Sequence, residues 1–135
     1  MSQQISTIAL VVPDYDAAIS FYVGTMDFWL LTNEDKGGGK RWVTVVPTGG
    51  GTALLLAKAV NADQTCAIGN QTGGRVGFIL QTDDFARDHA KMRAKGVTFE
   101  EAPRIEPYGT VAVWRDPFGN RWDLLQDASA SETPI

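Results

Sequence analysis

Two stretches of the chain are written to one plan. "ISTIALVVPDYDAAISFYVGTMDF" (residues 5–28) and "GRVGFILQTDDFARDHAKMRAKGVTF" (residues 74–99) each run strand, acidic turn, helix, strand. In the first, residues 5–12 are β-branched and apolar, Pro13 ends the strand, and Asp14 offers its carboxylate to the free amides of a helix. Tyr15, Ala18, Ile19 and Tyr22 then fall at i, i+3, i+4 and i+7, the stripe of an amphipathic helix. In the second, a strand over 75–82 leads to Asp83 or Asp84 as cap, a helix with Phe85, His89 and Met92 facing inward, and Gly96 as its stop. A repeated unit of this kind limits the fold severely. Its helix covers one sheet face, and a single copy is a poor globule.

Three further strands follow each helix. They read "DFWLLTNE", "RWVTVVP" and "TALLLAKA" in the first half, and "VTFEEAPRIE", "GTVAVWRDP" and "NRWDLLQ" in the second, where "DPFGN" turns the last pair. The predicted fold class is α+β: two tandem βαβββ modules forming a curved mixed sheet, with a concave ligand cup on the face away from the helices. One domain is expected over 1–135, with module 1 at about 5–58, an exposed, mobile connector at 59–74, module 2 at about 75–126, and a polar tail at 127–135.

This order, with "DYDAAISFY" after the first strand and "DPFGNRWDLLQ" closing the second half, resembles the vicinal oxygen chelate superfamily of glyoxalases, bleomycin resistance proteins and extradiol dioxygenases. The likeness covers residues 5–126. Its most specific residues are Asp14, Ala18, Phe21 and Tyr22, and the turn residues Asp116, Pro117, Gly119 and Asn120. Met26-Asp27-Phe28 stands where the family usually has Leu-Gly-Phe, so Asp27 departs from the pattern.

The resemblance implies four strand positions for ligands of a divalent metal. They fall on Thr7, on "TALLLA" (which holds no His, carboxylate or Gln), on Gly77 or Arg75, and on Asp123. One anionic ligand of four is too few for a divalent cation, and a guanidinium at Arg75 would repel it. No metal and no other cofactor is therefore expected. The only histidine, His89, lies on the inward helix stripe and is read as packing. Cys66, the only cysteine, has no basic neighbour to lower its pKa and cannot form an internal disulfide.

Strand alternation sorts the faces. Ile8, Leu10 and Val12, Val76, Phe78 and Leu80, and Trp122 and Leu124 should meet the helices. Thr7, Ala9 and Val11, Arg75, Gly77, Ile79 and Gln81, and Arg121, Asp123 and Leu125 should line the cup. Arg75 and Asp123 are expected to pair there. Trp29, Trp42, Trp114 and Tyr108 are the aromatic groups available for stacking on a planar ligand. The face of Trp114 depends on the length of the turn after it: a five-residue turn puts it beside Trp122, a four-residue turn beside Asp123.

The candidate ligand-binding residues are thus Thr7, Arg75, Gln81, Tyr108, Trp114 and Asp123, with Asp123 the one candidate for catalysis. The expected function is binding or sequestering a small, partly aromatic molecule, as in the bleomycin-resistance branch. The alternatives are a glyoxalase-like lyase, isomerase or dioxygenase, either metal-dependent or using Asp123 as base with Arg75 or Thr7 holding an oxyanion. A net charge of −4 argues against nucleic acid. No apolar run approaches a bilayer span, and the N-terminus carries no secretion signal, so a cytoplasmic protein is expected. A homodimer is expected as well, because open sheets leave edges for a partner to cover.

Overall fold

The computed structural model describes residues 2–128. The expected tail, from residue 129 onward, lies outside them. The chain divides into two compact units, Met1–Gly69 and Asn70–Ile135. Among the described residues no helix is long and apolar enough to cross a membrane.

The first unit contains β1 (Thr7–Val12), α1 (Tyr15–Ile19), β2 (Trp29–Gly37), β3 (Lys40–Val46), β4 (Ala53–Lys58) and α2 (Ala62–Ala67). Its four-stranded sheet has the order β1-β4-β3-β2, with β1 parallel to β4 and the other pairs antiparallel. Asp14 caps α1 as the sequence predicts, accepting from the Ala17 amide at 2.8 Å. The helix then widens into a π-helical turn over Ser20–Thr25, seen in the Met26 N–H to Phe21 carbonyl bond. That widening brings the adjacent Phe21 and Tyr22 both into the core, edge to face at 4.9 Å, where a strict 3.6-residue period admits only Tyr22. Leu10, Val12, Val43, Val45 and Leu56 are fully buried.

The segment read as an unstructured connector holds α2. Asn61 accepts from the Gln64 amide at 2.9 Å, and the Gln64 side chain accepts from the Val60 amide at 2.8 Å, a reciprocal cap that nucleates this single turn.

The second unit contains β5 (Phe78–Gln81), α3 (Phe85–Ala94), β6 (Thr98–Phe99), β7 (Arg104–Glu106), β8 (Gly109–Arg115) and β9 (Arg121–Asp127). Its sheet has the order β5-β9-β8-β6, and β7 also pairs with β8. Two predicted strands differ. β5 is shorter, so Arg75 and Val76 precede it. "VTFEEAPRIE" is broken into β6 and β7, because Pro103 has no N–H for the ladder. At the break the Glu100 amide donates to the Val113 carbonyl at 2.9 Å, while the Val113 amide donates to the Glu101 carboxylate at 3.0 Å. A side chain thus takes the place of a missing main-chain acceptor.

Asp84, one of the two predicted caps, closes the start of α3 through the Arg87 amide at 3.1 Å. The Gln126 side chain accepts from the Phe85 amide at 2.7 Å and ties the helix start to β9. The helix ends with Gly96 at φ +88°, the Val97 amide on the Met92 carbonyl and the Gly96 amide on the Arg93 carbonyl. Beneath α3 an aromatic row crosses the sheet: Phe99, Trp114 and Trp122 are register neighbours, as are Trp122 and Phe78. Trp122 stacks on Trp114 at 4.9 Å and on Phe78 at 4.8 Å. His89 meets Phe99 at 4.5 Å and Phe85 at 5.3 Å, in keeping with its predicted packing position.

Candidate functional site

The five-residue turn 116–120 sets the faces of the second sheet. The Asp116 carboxylate accepts from the Phe118 amide at 2.9 Å, the Asn120 amide at 2.8 Å and the Asn120 side chain at 2.7 Å. Arg115 therefore pairs with Arg121, Trp114 with Trp122 and Val113 with Asp123. This resolves the ambiguity of Trp114. It is fully buried in the aromatic row under α3, on the opposite side of the sheet from Asp123.

The face away from α3 carries Asp123 between Val113 on β8 and Ile79 on β5, with Leu125 next along β9. Ile79 is 63% exposed, so an apolar patch stays open beside the carboxylate. Val113 directs both its amide and its carbonyl toward the β6–β7 break. The Val113–Asp123 pair is consequently of the non-hydrogen-bonded kind, which brings the two side chains close. Asp123 Oδ1 is buried and has no hydrogen-bond partner among the described residues. Burial is the main cause holding the Asp123 carboxyl above the ordinary range, reinforced by Glu101 and opposed by Arg104 and Arg121.

The cations around Asp123 are engaged elsewhere. Arg104 forms a fork with both Glu101 oxygens at 3.0 Å and also meets Glu106. Arg121 forms a second fork with Glu100, at 2.9 and 3.0 Å, and donates to the Gly74 carbonyl at 2.8 Å. Arg115 shares Glu100 at 2.6 Å. Hydrogen bonds from the arginines hold the Glu100 carboxyl below its usual range.

The residues singled out in the sequence have different fates. Gln81, at the end of β5, donates to Asp127 on this same face. Tyr108, 54% exposed in the β7–β8 turn, hydrogen-bonds to the Arg104 side chain. Gly109 beside it is obligatory, because a Cβ there would collide with the Gln126 carbonyl oxygen. Arg75 is exposed ahead of β5, and its carbonyl accepts from the Thr72 hydroxyl at 2.7 Å. The expected Arg75–Asp123 pair is not formed, because β5 begins after Arg75. The charges acting on Asp123 come from Arg104, Glu101 and Arg121 instead. Thr7, exposed, opens β1 in the first unit, its hydroxyl 3.4 Å from that of Ser6.

Sequence reasoning missed Glu100, Glu101 and Arg104. The signal was Pro103 within a strand-like run, which marks an interruption where side chains can replace the ladder.

The donor set does not suit a divalent metal. Among the described residues no group of three or more His, Cys, Asp or Glu side chains could hold one. At the position facing Asp123 across β5 stands Ile79, and β4 supplies only Ala, Leu and Lys.

The chain resembles known proteins over nearly its whole length. An uncharacterised protein of Shewanella frigidimarina (strain NCIMB 400) is 51% identical over 128 residues, covering 93% of this chain and 95% of the relative. TnmS3, an antibiotic binding protein from Streptomyces sp. CB03234, superposes with a TM-score of 0.74 at 30% identity, covering 95% of this chain and 98% of that one. A member of the glyoxalase/bleomycin resistance protein/dioxygenase superfamily from Sphaerobacter thermophilus DSM 20745 also gives 0.74, at 26% identity, with 93% and 98% covered. The family model of that superfamily matches residues 4–124. Two βαβββ units, the Asp116–Asn120 turn and this match together establish that the chain belongs to the Glyoxalase/Bleomycin resistance protein/Dioxygenase superfamily.

Proposed function

We propose that the protein binds, and so sequesters, a small, partly aromatic molecule on the open face of the second unit, without a metal or other cofactor. The observation that carries this reading is Asp123 Oδ1, a buried acceptor without a partner, set among Val113, Ile79 and Leu125. Burying a polar atom without a partner is costly, and such atoms persist where a ligand or another function uses them. The likeness to an antibiotic binding protein at 30% identity supports the same reading. Arg104 and Tyr108 form one rim of the site and Gln81 another. Arg75, ahead of β5, remains a candidate in the same unit, Thr7 remains one in the first unit on its sequence position alone, and Trp114 acts only from below, by fixing the sheet.

A melting-temperature screen of small planar molecules tests the proposal. Hits should stabilise the wild type and lose their effect in Asp123→Ala, while a chelator leaves the melting temperature unchanged. A native-state metal would have to stabilise the fold, so a fall of several degrees with chelator would overturn the metal-free reading. Hits that act equally on Asp123→Ala would overturn the site.

A second reading is a metal-free lyase or isomerase. A buried carboxyl displaced above its ordinary range is suited to general base work, so consumption of a hit by wild type and its absence in Asp123→Asn would favour that reading.

A homodimer goes with either reading. β2 is an edge strand whose Trp29, Leu30 and Leu31 are 58%, 41% and 53% exposed, an apolar edge that a second copy would cover. Sedimentation of a 14.6 kDa species alone at micromolar concentration would refute it. An exposed free thiol at Cys66 suits a reducing cytoplasm.

A further inference from the structure

We infer that Asp123 meets its ligand as a neutral carboxyl that donates its proton to an uncharged oxygen acceptor, a ketone, ester or amide carbonyl, so that this face selects uncharged ligands over cations and anions. The inference rests on the ligand-binding reading and adds the chemical class that the site takes.

The neighbour of Asp123 across β8 is Val113, whose amide is spent on Glu101, and its neighbour across β5 is Ile79. Neither side chain offers a donor to a carboxylate. The guanidiniums on the face are Arg104, Arg115 and Arg121, and each is already paired with Glu100, Glu101 or Glu106. Asp127, further along β9, is held by Gln81. Tyr108 is engaged with Arg104. Each of these three guanidiniums is thus engaged without Asp123.

An anionic ligand would have to break an existing fork to find a cation. A ligand covering Ile79 and Leu125 would remove the remaining water from a carboxyl that has no donor of its own. Under those conditions a carboxyl takes up a proton rather than stay charged, and burial with Glu101 nearby already displaces it in that direction. Its one O–H must then find an acceptor on the ligand.

Three probes of one shape test this: 2-acetonaphthone, which is neutral, 2-naphthylmethylamine, which is cationic, and 2-naphthoate, which is anionic. Binding is measured by calorimetry in a pH series that starts at the ordinary carboxyl range and runs upward, the direction in which burial displaces Asp123. The ketone should bind best, with no proton uptake below the carboxyl's pKa and uptake approaching one proton above it, where its Kd should rise by about tenfold per pH unit. Asp123→Asn keeps a donor, so it should hold the ketone within about threefold of the acid-limit affinity, with no pH dependence. Asp123→Ala should lose it at every pH.

Preference for the amine with affinity rising with pH, or loss of the ketone in Asp123→Asn, overturns the inference and leaves the binding site standing. If none of the three probes binds, the planar-ligand reading fails, and the 13C titration of the Asp123 carboxyl decides the inference by itself. A midpoint above the ordinary range that falls in Glu101→Gln sustains it. An ordinary midpoint of about 4, unchanged in that variant, overturns it.

Discussion

Asp116 and Asn120 are locked to each other by a side-chain hydrogen bond of 2.7 Å, and both are 4% exposed. This one contact fixes the length of the β8–β9 turn, and with it the face on which every residue of β9 lies. A shift by one residue would exchange Trp122 for Asp123 under α3.

Asp116→Ala leaves the Phe118 and Asn120 amides and the Asn120 side chain without their acceptor. The expected loss is about 3 kcal/mol, in the range for buried donors deprived of a charged partner. Urea unfolding of the variant against wild type measures it. A loss below about 1 kcal/mol would mean that the aromatic row alone holds the register.

Asp123 makes stability depend on pH in a definite direction. Its folded carboxyl is displaced upward, so the native state holds its proton more tightly than the unfolded chain. The wild type is favoured while both states are protonated, and it loses stability as pH rises from about 4 through the raised value. Asp123→Asn does not titrate. The variant should therefore gain on the wild type as pH rises, reaching its largest advantage at neutral pH. Denaturant midpoints across that range would show the curves diverging upward; parallel curves would contradict the assignment.

His89 acts at a different pH and with the opposite form. Burial between Phe85 and Phe99, with Arg93 close by, holds its folded pKa below 6.5. Stability from this site is present above the unfolded value of 6.5 and is lost as pH falls through the lower folded value. His89→Leu should remove this acid-side loss and leave ligand binding at Asp123 unchanged, because the two residues lie on opposite faces of the sheet. Melting curves below about pH 6.5 test the first point, where an ordinary imidazole begins to charge. A loss of ligand shifts in the variant would refute the second.

Asp27 sits at φ +60°, a conformation that side-chain-bearing residues adopt at a cost. Asp27→Gly should stabilise the first unit by about 0.5 kcal/mol, the relief of strain being partly offset by the greater freedom of glycine in the unfolded chain. The thermal midpoint is the readout, and a lower midpoint would show that the Asp27 side chain contributes more than the backbone strain costs.

Sequence alone determined what depends on neighbours along the chain. Asp14 and Asp84 cap helices because a short carboxylate beside free amides needs no distant partner. The strand–helix–strand repeat is legible in the spacing of apolar residues, and so is the packing role of His89. The family follows from that repeat and from the Asp116–Asn120 turn. Even α2 was signalled by Asn61 and Gln64, a reciprocal cap hidden in a polar run. The composition of the site was not legible in this way. Trp114 and Asp123 differ in face only through a turn whose length the residues 116–120 could satisfy in two ways, until their buried hydrogen bonds chose one. Glu101 and Arg104 act on Asp123 across β8, from a strand that Pro103 breaks, and Glu100 engages Arg115 and Arg121. These charges come together only because pairing between strands remote in sequence places them on one face. Local sequence sets which conformations are cheap; the register of distant strands decides which side chains share a surface, and the site belongs to that second kind of information.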